Sequence, residues 1–395
     1  MQRYRLIVCS LTGVAALALA GSRLRADDVK TVFVIAMENH NWTQPANQFT
    51  GGIQQIFQNQ NAPFINSLIK GTAPGISDQV AYAAAYHNVL ATESGNNPHI
   101  HPSEPNYIWA EAGTNFGVFN DNDPYGTNGT NQNTTLHLST LITASGGTWR
   151  SYQEDTDLQV TNGQRSNVPL PQNMWTVPLS SFSGRFVSGV NQYNFSNQFN
   201  YAAKHNPMVF FTDSNGGNDP TPANPLSSHY APLQQLQADL AADAVADYNW
   251  ITPNQFNDMH TALADGYKGL TGDPAKIRQG DDFLSQLVPM IMASEAYKKH
   301  GVIMLWWDEA EGDGVAGDNA DSFSHTIPFI VISKEVHKNE NGVPYASPVN
   351  FSHSSFLRTM QELFRVGPLL GDAANAEDLS DLFKNGVLSN GKLKH

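Results

Sequence analysis

The stretch TVFVIAMEN, residues 31–39, carries the first signal for the fold. Its run of apolar residues predicts a strand buried on both faces, which is typical of a parallel sheet covered by helices. A carboxylate placed directly after such a strand is costly to bury unless it is paired or binds a metal ion. Glu38 and the side-chain oxygen of Asn39 would both suit a hard cation. The alternative is a strand that opens into solvent and continues into an Asn-capped turn.

Further apolar runs of similar length alternate with stretches of helical periodicity. The predicted strands are 31–37, 208–212, 248–252, 302–307 and 327–333, and the predicted helices are 62–69, 136–144, 232–246, 281–298 and 354–364. This alternation predicts an α/β fold with a mostly parallel central sheet and helices on both faces. Ligands of such sheets bind beyond the carboxyl ends of the strands. The polar residues at these ends are Glu38, Asp213, Asn254 and Asp308.

Two polar segments, 112–135 and 155–200, interrupt this pattern and are rich in Asn, Gly, Ser and Thr. We interpret them as long insertions that cover a substrate, because structureless loops of this length are uncommon in compact domains unless they are functional. No internal repeat divides the chain. The sequence therefore predicts one domain that extends from residue 27 to residue 395.

The first 26 residues have the pattern of a secretory signal peptide. Arg3 and Arg5 precede an apolar segment, Leu6–Ala20, that is too short for a comfortable membrane span. The alternative is an uncleaved membrane anchor. The one cysteine, Cys9, lies in this segment, so the mature chain would have neither disulfides nor cysteine metal ligands. We predict a bacterial periplasmic or secreted protein with no stable membrane insertion after cleavage.

The charge balance excludes some partners. The formal net charge is −14, and residues 1–26 contain four arginines and no acid, so the mature chain is more acidic still. A surface of this charge repels nucleic acid and anionic lipid. It would also slow an anionic substrate unless cations at the site reverse the local field.

The segment HPSEPNY, residues 101–107, contains the candidate nucleophile, Ser103. Pro105 suits the first turn of a helix that runs toward Ala112. A serine at the start of that helix would lie where main-chain amides and the helix dipole favour anions, and hence a phosphoserine. The alternative is a serine that only caps the helix. No Gly-x-Ser-x-Gly elbow supports a hydrolase triad.

Acids and histidines follow the later strands. The candidates are Asp258 and His260 after strand 248–252, Asp308 and Glu309 after strand 302–307, and His325 before strand 327–333. Alternatively, Asp258 caps a helix and His325 is an ordinary buried or surface histidine. A calcium loop that starts at Glu309 is rejected, because Ala320 occupies its twelfth position. Oxygen and imidazole ligands without sulfur suit Zn, Mn, Mg or Ca and do not discriminate among these divalent cations.

Taken together, these segments resemble the phosphoesterase family of bacterial and fungal acid phosphatases and phospholipases C, within the alkaline-phosphatase-like superfamily. The resembling segments are 37–39, 101–107, 148–154, 251–254, 257–260, 308–309 and 324–328. The resemblance implies an alkaline-phosphatase-like sandwich with a metal site at the carboxyl edge of the sheet. The phospholipase C branch usually reads Glu-Asn-Arg-Ser-Phe-Asp at the first segment, whereas this chain reads ENHNW at 38–42. That difference favours the acid phosphatase branch.

The resemblance also implies roles for individual residues. Glu38, Asn39 and Asp308 would hold metal near Ser103, and Asn106 would help to bind the phosphoryl oxygens. The second half of the site, a further metal or a proton-transfer group, would consist of Asp258, His260, Glu309 and His325. Ser103, Asn106, His260 and His325 are thus the expected catalytic residues.

The expected function is that of an exported, metal-dependent phosphomonoesterase, which forms a phosphoserine and hydrolyses a small-molecule phosphate ester. The second enzymatic interpretation is a phospholipase C or another phosphodiesterase. A third interpretation, from a different class, is a non-catalytic binding protein for phosphate compounds. A sulfatase is disfavoured because the sequence contains no Cys-x-Pro-x-Arg or Ser-x-Pro-x-Arg motif.

Overall fold

A computed structural model describes residues 29–42, 56–89, 100–311, 325–338 and 343–388. The predicted signal segment and the 312–320 part of the rejected calcium loop lie outside these ranges. The strands are β1 Thr31–Met37, β2 Val80–His87, β3 Trp149–Gln153, β4 Leu158–Thr161, β5 Gln164–Pro169, β6 Phe182–Arg185, β7 Gln198–Tyr201, β8 Tyr230–Pro232, β9 Tyr248–Thr252, β10 Gly301–Trp307, β11 Phe329–Ile332 and β12 Tyr345–Ser352. The α-helices are α1 Pro63–Lys70, α2 Ser103–Ala112, α3 Leu138–Ala144, α4 Thr212–Asn215, α5 Leu236–Ala241, α6 Gly272–Met292, α7 Glu295–Lys298 and α8 His353–Phe364. None of these helices is long and apolar enough to cross a membrane.

Eight of the described strands form one sheet in the order β12-β2-β11-β10-β1-β9-β3-β8. The strands pair in parallel except for β11, which runs antiparallel to both β10 and β2. β1 lies between β10 and β9, and the last residue of β1, Met37, pairs with the last residue of β10, Trp307. The carboxyl ends of these central strands therefore coincide, and the residues that follow them leave the sheet side by side.

Helices pack on both faces of the sheet. On one face, the ring of Trp306 in β10 lies 5.2 Å from Tyr107 in α2 and 4.6 Å from His353 in α8. On the other face, α6 approaches so closely that a Cβ atom at Gly280 would lie 2.9 Å from the terminal carbon of Met37. A larger residue at this position would force the Met259 and Met37 side chains to move. The predicted α/β fold, with a mostly parallel sheet and helices on both faces, is confirmed.

The central strands agree best with the prediction. Strands 31–37 and 248–252 are confirmed to the residue, and strands 302–307 and 327–333 appear as β10 and β11. Strand 208–212 is wrong. Its apolar residues form a 3₁₀ helix, Pro207–Phe210, that packs against α2, and α4 follows. A short buried apolar run does not reveal whether a sheet or a helix covers it.

The helices agree less well at their ends. Helices 62–69, 136–144 and 354–364 correspond to α1, α3 and α8. The predicted helix 232–246 is replaced by a 3₁₀ helix, Leu233–Gln235, and the short α5. Helix 281–298 starts earlier, at Gly272, and divides into α6 and α7. The polar segment 155–200 contains the two-stranded sheets β4-β5 and β6-β7. That it covers a substrate stays a prediction, as do the domain limits.

The far end of α2 is anchored by a buried ionic network. His137 lies between two carboxylates, with Nδ1 3.0 Å from Glu111 in α2 and Nε2 2.9 Å from Asp213 in α4. Ser139 also donates to Glu111, through its main-chain N–H and its hydroxyl. Asp213, which the sequence analysis placed at a strand end, therefore belongs to this network and not to the strand-end cluster. The network fixes the helix that begins at Ser103.

We expect His137→Gln to lower the free energy of unfolding by about 2–4 kcal/mol at pH 5.5, because it leaves a buried carboxylate without its cation. Burial lowers the pKa of His137, but hydrogen bonds to Asp213 and Glu111 outweigh burial and raise the pKa overall. The stabilisation is therefore complete below the unfolded-state pKa of about 6.5 and is lost as the pH rises through the folded-state pKa.

Urea denaturation at pH 5.5 and pH 9 measures this difference, which should be smaller at pH 9. The control is His300→Asn, because the His300 side chain is 31% exposed and its partner Glu335, at 2.9 Å, also pairs with Lys384. We expect a loss below about 1 kcal/mol for this variant, as for other surface ion pairs. A loss for His137→Gln that does not change with pH would contradict an ionic role.

Candidate active site

Ser103 is the first residue of α2, and its side chain is buried. Its Oγ lies 3.0 Å from Oε2 of Glu38 and 3.3 Å from Oε1 of Glu309, so its single proton can be donated to either carboxylate. One turn along the helix, the Tyr107 hydroxyl donates to the other oxygen of Glu38. The first turn of α2 therefore presents two hydroxyl groups to the carboxylate at the end of β1.

Four buried carboxylates cluster at the ends of β1, β9 and β10: Glu38, Asp258, Asp308 and Glu309. A main-chain hydrogen bond joins the segments that follow β1 and β9, because the Glu38 N–H donates to the Asp258 carbonyl at 2.8 Å. Burial raises the pKa of all four groups, and the charge of Asp308 raises the pKa of Glu38 and Asp258 further. So many buried acids are unfavourable unless a positive charge balances them.

His205, which the sequence analysis did not single out, lies within this cluster and is buried. Its Nε2 is 3.3 Å from Glu38 and its Nδ1 is 3.3 Å from Asp258. Its ring stacks on Tyr107 with the centroids 5.1 Å apart. His205 thus joins the first turn of α2 to the acids at the ends of two strands.

The sequence offered little signal for this residue. His205 follows a polar insertion and belongs to a short 3₁₀ helix, Ala203–His205, so no periodic pattern marks it. Burial, together with the charge of Lys204, lowers the pKa of His205 well below its usual range. The ring is therefore neutral in the resting site and can offer one of its nitrogens as an acceptor or a ligand.

Hydrogen bonds from Asn39 and His353 hold Asp308 in place. Its Oδ1 accepts the main-chain N–H of Asn39 at 3.0 Å, and its carbonyl lies 2.6 Å from Nε2 of His353. The Nδ1 of His353 faces two donors, the Tyr86 hydroxyl and the Trp306 indole, both at 3.1 Å. Nε2 therefore carries the proton, and burial lowers the pKa of this ring to about 3. The neutral His353 holds the loop that carries Asp308.

Asn106 hydrogen-bonds to nearby main-chain carbonyls. Its side-chain N–H groups donate to the Ile100 carbonyl at 2.8 Å and the Pro102 carbonyl at 3.3 Å, so they are not free for phosphoryl oxygens. The predicted role of Asn106 in binding phosphoryl oxygens stays a prediction. Asn106 holds the segment that leads into the nucleophile turn.

The two remaining predicted histidines are His260 and His325, and His260 lies beside Asp258 and His205. The main-chain N–H of His260 donates to Asp258 at 2.7 Å, and the His260 ring lies 5.9 Å from the His205 ring. Burial lowers the pKa of His260 to about 4. His325 is buried, and His87 hydrogen-bonds to its backbone. Its roles in catalysis and in metal binding stay predictions.

The side chains of this cluster offer the types of ligand atom that a divalent cation binds. The buried oxygens Asn39 Oδ1 and Asp308 Oδ2 have no hydrogen-bond partner. With the carboxylates of Glu38 and Asp258, they are the oxygen ligands that hard cations prefer, and His205 could add a nitrogen ligand. Within the described residues, however, no group of three or more His, Cys, Asp or Glu side chains is already arranged as a metal site. The choice among Zn, Mn, Mg and Ca stays open.

Similar proteins give the context for this site. The phosphatidylinositol-3-phosphatase of Mycobacterium tuberculosis is 25% identical over 328 residues, which cover 83% of this chain and 78% of that protein. A probable acid phosphatase of Kluyveromyces lactis is 26% identical over 219 residues, 54% of this chain and 39% of its own length. A solved structure from Vibrio parahaemolyticus, in the alkaline phosphatase superfamily, aligns with a TM-score of 0.46 at 10% identity and covers 90% of this chain and 71% of its own.

The family itself is defined by a broader match. The model of the Phosphoesterase family matches residues 21–367, which include every residue of the cluster. This match confirms the resemblance drawn from the short sequence segments. The chain therefore belongs to the Phosphoesterase family and is a hydrolase that acts on phosphate ester bonds.

Proposed function

We propose that this hydrolase is an exported, metal-dependent acid phosphatase that uses Ser103 as its nucleophile. The observation that carries the proposal is the position of Ser103 Oγ, at the start of α2 and within 3.3 Å of Glu38 and Glu309. A nucleophile needs a nearby group that takes its proton and a place where the developing negative charge is stabilised. The carboxylates supply the first requirement, and the start of the helix supplies the second.

In the proposed reaction, Ser103 Oγ attacks phosphorus while its proton passes to Glu38 or Glu309. The alcohol leaves, and water later hydrolyses the phosphoserine. Glu38, Asn39, Asp258 and Asp308 would hold the cation, which when bound would neutralise phosphoryl charge and favour the deprotonated serine. Tyr107 and His205 keep the Glu38 carboxylate in place through contacts on its Oε1 side. Because burial lowers its pKa to about 4, His260 would stay neutral at mildly acidic pH and could serve as a general base.

Export is part of the proposal and rests on the sequence of residues 1–26. A small-molecule phosphate monoester is the proposed substrate class. The acid phosphatases of fungi that match this chain support a monoesterase, although the matched region spans only about two fifths of the Kluyveromyces protein. The Mycobacterium relative is named for a phosphomonoester on a lipid headgroup. Both support phosphomonoester hydrolysis over cleavage of a diester.

The test is an assay of the purified mature chain with p-nitrophenyl phosphate and bis(p-nitrophenyl) phosphate from pH 4 to 9, with and without a chelator. We expect chelator-sensitive release of p-nitrophenol, faster from the monoester than from the diester and restored by a divalent cation. Faster release from the diester would favour a phosphodiesterase. Tight phosphate binding without release from either compound would favour the binding protein.

A further inference from the structure

Lys204 is linked through Asp121 to the residue after the nucleophile but has no role in the reaction as proposed above. Its Nζ donates to Oδ2 of Asp121 at 2.9 Å, and the side chain is 15% exposed. The other oxygen of Asp121 accepts the main-chain N–H of Glu104 at 3.1 Å, and Glu104 directly follows Ser103. The ammonium group is thus attached, through one carboxylate, to the turn that carries the nucleophile.

The neighbouring residue fixes the other side of the same turn. His205 stacks on Tyr107 and contacts Glu38, so residue 205 contacts α2 directly, whereas residue 204 is linked to the start of α2 through Asp121. Burial opposes the charge on Lys204, but Glu38 and Asp121 outweigh it and raise the pKa of the ammonium group.

The difference in charge between a phosphate monoester and a diester suggests what Lys204 does in the site. A phosphate monoester carries close to two negative charges above about pH 6, whereas a diester carries one. A site built from four carboxylates repels the additional charge of the monoester. A fixed cation near the phosphorus would therefore favour the monoester selectively.

We propose that Lys204 donates a hydrogen bond to the phosphoryl oxygen that is anionic in a monoester and esterified in a diester, and so sets the preference for monoesters. An ammonium group has three N–H donors, and Asp121 accepts one of them. The Asp121 contact holds Nζ beside the Ser103 turn. This inference rests on the proposed function, because it takes Ser103 as the attacking group.

The test compares Lys204→Met and Lys204→Arg with the wild type at pH 6.5. The substrates are p-nitrophenyl phosphate and the diester methyl p-nitrophenyl phosphate. For Lys204→Met we expect kcat/KM to fall about 30- to 100-fold for the monoester, the range for loss of a charged hydrogen bond, and by less than about threefold for the diester. Lys204→Arg should recover most of the monoester activity. Inhibition by inorganic phosphate should weaken in Lys204→Met by a factor similar to the monoester loss.

The control is Lys299→Met, since Lys299 forms a surface pair with Asp243 at 2.8 Å and lies at the opposite end of β10 from Asp308. It should leave both substrates unchanged. If Lys204 only stabilised the fold through Asp121, Lys204→Met would lower the monoester and diester activities equally, and inhibition by inorganic phosphate would be as strong as in the wild type. Either result would overturn the inference. A wild-type protein that hydrolyses neither substrate would instead overturn the proposed function itself.

Discussion

Ser103→Ala is expected to lower kcat for p-nitrophenyl phosphate by at least about a thousandfold, because nucleophiles of this kind account for three or more powers of ten in rate. The fold should persist. The substitution removes one buried hydroxyl, whose single proton is donated to Glu38 or Glu309, and a hydrogen bond to a charged group is worth about 1.5–3 kcal/mol. We therefore expect the melting temperature to change by only a few degrees.

Initial rates and a thermal melt on the same preparation measure both quantities. Ser214→Ala is the matched control, because Ser214 is also a buried serine but donates to the Met208 carbonyl at 2.6 Å, away from the cluster. It should lose a similar amount of stability and keep its activity. Acid quench of the wild type during turnover should also trap a phosphorylated peptide that contains Ser103. Near-normal turnover by Ser103→Ala would refute the assignment of the nucleophile.

Asp308→Asn is expected to abolish the response of the protein to divalent cations and to lower activity by about a hundredfold or more. Asparagine keeps the shape of the side chain and the acceptor for the Asn39 N–H. It removes the negative charge, and the buried Oδ2 atom, which has no hydrogen-bond partner, is no longer a carboxylate oxygen. A cation that binds the folded state stabilises it in proportion to the logarithm of its concentration over Kd.

The measurement is the melting temperature after chelation and after a divalent cation is added back. The wild type should gain several degrees, and Asp308→Asn should gain little. Asp282→Asn is the control, because Asp282 pairs with Lys268 at 2.6 Å and Arg278 at 3.0 Å on the surface of α6. It should respond to the cation as the wild type does. An unchanged cation response in Asp308→Asn would show that the cation binds elsewhere.

The central strands and the acids at their ends could be predicted because one physical rule places both. An apolar run buried on both faces belongs to the middle of a parallel sheet, and parallel strands end at a common edge. The sequence alone therefore predicts that Glu38, Asp258 and Asp308 lie close together. The same reasoning failed for residues 208–212, since a 3₁₀ helix under α2 buries its apolar side chains as completely as a strand does.

The outer strands were missed for a related reason. The polar residues of β3 are mostly buried, and the residues of β12 range from buried to exposed, so the apolar run of each strand is interrupted. Strands of this kind resemble loops when only the length of the apolar run is considered. Their pairing partners, β9 for β3 and β2 for β12, supply the context that the sequence lacks.

The site residues that could not be predicted depend on long-range contacts. His205 and Lys204 come from a segment with no apolar pattern, and they reach the cluster because the 3₁₀ helices at 203–210 pack against α2. Asn106 has the sequence position of a phosphate ligand, yet the local carbonyls of Ile100 and Pro102 take its donors. Hydrogen-bond competition of this kind is decided by distances, which a motif does not contain.

The position of β1 in the sheet has a consequence for synthesis of the chain. Its neighbours β9 and β10 lie far along the sequence; the contact between Asn249 and Val32, for example, joins residues 217 positions apart. At about 5–20 residues per second, the ribosome would expose β1 for roughly 10–40 seconds before its first partner emerges. A strand of this composition is prone to aggregate while it is unpaired. Nascent chains of this protein should therefore need a holding factor until residue 252 has emerged, and truncated chains that end before β9 should be insoluble.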